Sequence, residues 1–164
     1  MSKMVVSLIL LLILAGGFIG YWLGENVSLD TRTPYHEVWL DKDVTVMQVS
    51  NLTSSLDWAE LDLSPHVPRG TRIVKLLLNI LVDVIGTGSH STLNVRKHGA
   101  LPSHFPQMEV DSNALVGVKY REFVEVGVSD DLKIDYAITV GADWQIDARI
   151  MLLGYVTELK ECQV

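Results

Sequence analysis

Cysteine is almost missing from this chain. Cys162 is the single one in 164 residues, which excludes a disulfide framework and a cysteine-built zinc site. Proline is scarce at five, and aromatic residues make up 7%. Positive charge is also short: 13 Lys and Arg stand against 20 Asp and Glu, for a net −7. The basic residues Lys75, Arg96, Lys97, Lys119, Arg121, Lys133 and Arg149 are scattered along the sequence. That balance argues against nucleic acid as a partner, because phosphate needs a basic stripe. Signatures of chemistry are missing too. The glycines follow no phosphate-binding pattern, and Ser89-His90-Ser91 has no nucleophile elbow around it. The histidines His36, His66, His90, His98 and His104 lack helical or tight-turn ligand spacing, so a metal site would need His90, His98 and His104 to converge from separate loops. Calcium wants several oxygens in one loop, which Ser129-Asp130-Asp131 could supply only together with its neighbours. The expectation is a non-catalytic chain without cofactor or metal.

What the chain has in quantity is apolar residues, 48% of the total. The first block of them, Met4 to Leu23, is uncharged. As a helix it would span roughly 30 Å, the thickness of a bilayer core. Lys3 precedes it and Glu25 and Asp30 follow it, which predicts a single-pass protein with a cytoplasmic N-terminus and the rest of the chain outside. Tyr21 and Trp22 fall where an interfacial aromatic belt belongs. Gly16, Gly20 and Gly24 form a small-residue stripe suited to packing on another membrane helix, from a second copy or a partner. The rival reading is a signal peptide cleaved at Ala15-Gly16-Gly17. Retention is favoured because the apolar run continues through Phe18, Ile19 and Leu23. The expected organisation is an anchor over 1–24, a linker or stalk over 25–42 and one β-sandwich domain over 43–164. Asn26-Val-Ser28 and Asn51-Leu-Thr53 are glycosylation sequons that this orientation exposes.

From about Asp43 the pattern turns to period two, the mark of an antiparallel sandwich or barrel. The clearest strand is Arg72 to Ile85, with Val74, Leu76, Leu78, Ile80, Val82 and Val84 on one face and Lys75, Asn79 and Asp83 on the other. Thr92 to His98, Arg121 to Ser129, Leu132 to Val140 and Gln145 to Thr157 repeat the alternation. Ser129-Asp130-Asp131 predicts a hairpin turn between two of these strands. Gly99 to Asn113, with Pro102 and Pro106, reads as a long surface loop.

One constellation carries a resemblance. It opens with Trp58, Leu61-Asp62-Leu63-Ser64, Val67-Pro68 and Gly70, continues with Leu93, Val95-Arg96-Lys97 and Gly99, then Val126-Gly127-Val128, and ends with Leu153-Gly154-Tyr155. In order and spacing this resembles small jelly-roll-like β-sandwich domains of phage-type and environmental surface and virion proteins, over roughly Val44 to Thr157. The resemblance implies a structural or binding module with no catalytic residue to carry over. The chain departs from that pattern in beginning with a membrane helix. From the residues themselves, Trp58 is expected as a core anchor, and Arg96-Lys97 as a solvated face or partners of Asp62, Glu122 or Glu125.

Two functions follow. The first is a non-catalytic structural subunit of a membrane-associated assembly: a virion component, a surface filament or an accessory subunit. The alternative is a cell-surface or secreted module that binds carbohydrate through its loops. That alternative requires Tyr35, Trp39, Phe105, Tyr120 and Trp144 to converge on one end or face.

Overall fold

The computed structural model describes residues 35–101 and 106–158. The apolar segment with Gly16, Gly20, Gly24, Tyr21 and Trp22, the sequon at Asn26, and His104, Phe105 and Cys162 all lie outside the described residues. Within those residues the chain forms eight strands: β1 (Tyr35–Leu52), β2 (Leu56–Asp62), β3 (Thr71–Val84), β4 (His90–Lys97), β5 (Gln107–Asp111), β6 (Lys119–Gly127), β7 (Lys133–Thr139) and β8 (Gln145–Glu158). No helix among the described residues is long and apolar enough to cross a membrane.

The strands form two antiparallel four-stranded sheets, ordered β1-β8-β3-β6 and β2-β7-β4-β5. First pairs with last, second with seventh, third with sixth and fourth with fifth. That is one long hairpin wound into two sheets, the jelly-roll arrangement. Alternation drives the packing. Val74, Leu76, Leu78, Ile80 and Val82 of β3 and Ile146, Ala148, Ile150 and Leu152 of β8 bury one side of their sheet. Leu93 and Val95 of β4, Met108 and Val110 of β5, and Ile134 and Ile138 of β7 supply the facing side. Each of these side chains larger than alanine contributes about 1.5–3 kcal/mol by leaving water.

Three sequence expectations need correction. Residues 35–42 are not stalk: β1 starts at Tyr35, which pairs with Glu158. Residues Gln107–Asp111, expected as loop, form β5, with Met108 and Val110 turned into the core. Ser129-Asp130-Asp131 does not close a hairpin, because β6 pairs with β3 in one sheet while β7 pairs with β2 and β4 in the other. The turn is instead a corner between sheets. The Ser129 carbonyl accepts from the Leu132 N–H at 2.9 Å, and Leu132 takes a φ of 63°.

A second corner is built around Trp144, which is 1% exposed. Its indole N–H donates to the Gly88 carbonyl at 3.0 Å, and the Gly88 N–H donates to the Ala142 carbonyl at 3.0 Å. A Cβ at Gly86 or Gly88 would lie 2.3 Å from the backbone of Ala142, so the two loops touch backbone to backbone. Buried Ser91 completes the corner by accepting the Gly141 N–H at 3.0 Å.

Candidate interaction surfaces

One end of the sandwich carries the β1–β2, β3–β4, β5–β6 and β7–β8 loops; Tyr35 lies at the other end. The β5–β6 loop reverses at Leu115-Val116-Gly117-Val118, where the Val118 N–H donates to the Leu115 carbonyl at 3.2 Å. Gly117 has a φ of 78° at the third position of this turn, a conformation that favours glycine. The Gly117 N–H donates to the Val82 carbonyl at 2.8 Å, and the Tyr120 hydroxyl accepts the Leu115 N–H at 2.7 Å. The loop is thus pinned from two sides. Its aliphatic side chains are nonetheless outside: Leu115 is 65% exposed and Val116 59%, with Val118 and neighbouring Val84 also exposed.

The outer face of the β1-β8-β3-β6 sheet is the second surface. Trp39 and Phe123 stack there at 6.2 Å between centroids, 56% and 46% exposed. The Lys75 ammonium lies 4.8 Å from the Trp39 ring centre and 6.0 Å from that of Phe123. Glu37 holds the same ammonium at 3.1 Å, and Glu125 holds it from the neighbouring strand. Burial opposes charge on Lys75, but the two carboxylates outweigh it and raise its pKa. Farther along the face a groove of about 250 Å³ opens over Leu77, Asn79, Leu81 and Met151, rimmed by Lys119, Arg121, Arg149, Asp43 and Asp147.

The third feature is a charged network on the outer face of the β2-β7-β4-β5 sheet. Asp135 bonds His98 Nδ1 at 2.7 Å through one oxygen and accepts from Arg96 Nε at 3.2 Å through the other. Glu60 holds Lys133 Nζ at 2.8 Å and lies 3.7 Å from His98 Nε2. The Arg96 guanidinium lies 3.9 Å over the Trp58 ring, so Trp58 is half-buried beneath a cation at the sheet surface, not sealed in the core. The partner of Arg96 is Asp135, not Asp62, Glu122 or Glu125.

This network sets a pH dependence. The hydrogen bond to Asp135 raises the pKa of His98, and the Glu60 and Asp131 charges act in the same direction. Burial works against the charge on Asp135, but bonds from His98 and Arg96 hold its pKa below the ordinary carboxylate value. The His98 contribution is therefore complete below about pH 6.5 and lost as pH rises through its folded pKa. The Asp135 contribution is present above about pH 4 and lost as pH falls through its folded pKa. Thermal melts from pH 5 to pH 9 should show a decline on the alkaline side. In His98→Gln that decline should flatten; an equal decline in the variant would remove His98 as its source.

Of the five aromatic residues expected to share a glycan site, the four among the described residues do not meet. Trp144 is buried in its corner, and Tyr120 is half-buried as the prop of the β5–β6 loop. Tyr35 pairs at the opposite end with Glu158. Trp39 alone of the four described stands exposed on a sheet face, and its aromatic neighbour is Phe123, which sequence reasoning did not single out. The histidines His90 and His98 stand at opposite ends of β4, roughly 25 Å apart at strand spacing, so they cannot share a metal. Among the described residues no three His, Cys, Asp or Glu side chains gather as metal ligands. Asn51 is exposed at the end of β1 with a φ of 55°, and its side-chain oxygen accepts from Gln145 Nε2 at 2.7 Å.

No protein-family model and no curated protein sequence matches this chain. Among solved structures, it is similar to the coat protein of Tobacco streak virus. The identity is 11% and the TM-score 0.34, over 80% of this chain and 88% of that one. A likeness at that level assigns neither family nor role.

Sequence reasoning missed the loop tip and the groove for different reasons. Leu115 and Val116 fall between the expected loop, which ends at Asn113, and the expected strand, which starts at Arg121, and the turn at Gly117 leaves them exposed. Arg121, Asn79 and Arg149 are far apart in sequence and meet only through strand register, since Asn79 pairs with both arginines.

Proposed function

We propose that this chain is a non-catalytic structural subunit of a membrane-associated assembly. Its N-terminal apolar segment is the anchor and its β-sandwich lies outside the membrane, where copies of the chain pack together. The observation that carries this reading is the apolar loop end. Leu115, Val116 and Val118 are exposed on a loop that hydrogen bonds hold in place, and Val84 is exposed at the end of β3, on the same end of the sandwich. Monomeric soluble domains rarely leave contiguous apolar surface in water, and large exposed patches mark contact sites. The uncharged run Met4 to Leu23, with its Gly16, Gly20 and Gly24 stripe, supplies a second contact in the membrane plane.

The test is the native mass of the detergent-solubilised full chain, compared with Leu115→Ser/Val116→Ser. Both replaced side chains are exposed, so the fold should lose less than about 0.5 kcal/mol per site. Assembly should fall sharply.

A further inference from the structure

We propose that the groove on the outer face of the β1-β8-β3-β6 sheet is a binding site for an acidic sugar, carboxylated or sulfated. Three observations meet there. The first is unspent positive charge. Arg72, Lys75, Arg96 and Lys133 all have carboxylate partners. Lys119, Arg121 and Arg149 line the groove without an ion-pair partner among the described residues. Against Asp43 and Asp147 in the same lining, these three cations leave the groove with an excess of one positive charge in a chain of net −7, which favours an anion placed beside the arginines.

The second observation is the arrangement of planar polar groups. Strand register sets Gln48, Arg149, Asn79 and Arg121 in one row across all four strands. Asn79 is 5% exposed, and its amide N–H₂ points toward the Leu77 carbonyl at 3.3 Å and the Met151 sulfur at 3.4 Å. No described residue donates to its side-chain oxygen, which therefore stays available at the groove floor. A guanidinium on each side of an amide offers forked donors for a carboxylate or sulfate, with the amide left for a hydroxyl. Asp43 and Asp147 on the rim can accept from further hydroxyls.

The third observation is the floor and its neighbourhood. Leu77, Leu81 and Met151 give an apolar base for the C–H face of a ring, and Phe123, paired with Leu77 and stacked on Trp39, extends that base with aromatic surface. A volume of about 250 Å³ suits a single sugar ring. The groove centres on β3 and β8, each hydrogen-bonded to a strand on both sides. Their backbone groups are spent, so an acidic peptide could not join the sheet there by strand addition. Recognition must come from side chains, which suits a ligand rich in hydroxyls. This site lies on the sheet face and not on the loops, and it is independent of the assembly proposed above.

The test is binding of the full chain in detergent micelles to immobilised polygalacturonate (carboxylated), carrageenan (sulfated) and dextran (neutral), with polyglutamate and polyuridylate as other polyanions. Binding to one or both acidic glycans is expected, with dextran, polyglutamate and polyuridylate at least tenfold weaker. Arg121→Gln/Arg149→Gln should weaken glycan binding by tenfold or more, while native mass and melting temperature stay unchanged. If that double variant fails to fold, Arg121→Gln alone, on the exposed edge strand, carries the same test with a smaller loss. The proposal is overturned if neither acidic glycan binds, if the arginine variants bind as well as the parent, or if polyglutamate or polyuridylate binds as tightly as the glycans.

Discussion

Replacing Trp144 with alanine should lower the unfolding free energy by about 3–5 kcal/mol, the range for deleting a large buried aromatic. Trp144 is 1% exposed and is among the largest fully buried side chains of the sandwich. Its removal empties the corner where the β3–β4 and β7–β8 loops close on each other. The gap cannot collapse cheaply, because the surrounding groups are backbone: a Cβ at Gly141 would already meet the Trp144 ring at 2.9 Å, and Gly88 abuts Gly141 and Ala142. Trp144→Phe separates two contributions. It keeps much of the apolar volume but strands the Gly88 carbonyl that the indole N–H serves, so about 1–3 kcal/mol should still be lost. Chemical denaturation of the three proteins reads both differences. A loss below about 1 kcal/mol for Trp144→Ala would contradict the corner as described.

The second large effect is expected at Gly154. A Cβ there would lie 2.4 Å from the Val38 carbonyl oxygen and 3.3 Å from the Trp39 Cα. Gly154 pairs with Trp39, and the β1–β8 register then breaks between Trp39 and Val44. The bare glycine lets the irregular edge strand lie flat on β8. Gly154→Ala must push β1 away, at a cost of about 2–3 kcal/mol. Gly127→Ala is the matched control in the neighbouring part of the same sheet. Its Cβ would meet Lys97 Cδ at 3.7 Å, ordinary contact, and its cost should stay within a few tenths of a kcal/mol from packing alone. Equal melting temperatures for the two variants would refute the close approach.

These residues also show where the sequence was readable. β3 was legible almost to the residue because a long apolar alternation has one physical outcome, a strand buried on one face. β5 was not, since two core residues just after Pro102 and Pro106 make too short a signal. The first part of β1 was hidden for another reason: Val38-Trp39-Leu40 run consecutively between Glu37 and Asp41 without alternation, on an edge strand that β8 alone pairs. The turn at Ser129 to Asp131 has the chemistry of a reversal, and that chemistry does not say whether the chain returns to the same sheet or crosses to the other. Trp144, between Asp143 and Gln145, looks like a surface aromatic. Its burial is made by glycines some 56 residues earlier in the chain. The basic residues are scattered in sequence, yet register gathers Arg121 and Arg149 around Asn79.

The central claim is assembly through the apolar loop end, and the native mass of the detergent-solubilised full chain tests it most directly. The account predicts a complex of several copies for the parent protein and a shift to the monomer, or to a smaller species, for Leu115→Ser/Val116→Ser at unchanged melting temperature. A monomeric parent, or a complex whose mass the two serines leave untouched, would contradict it.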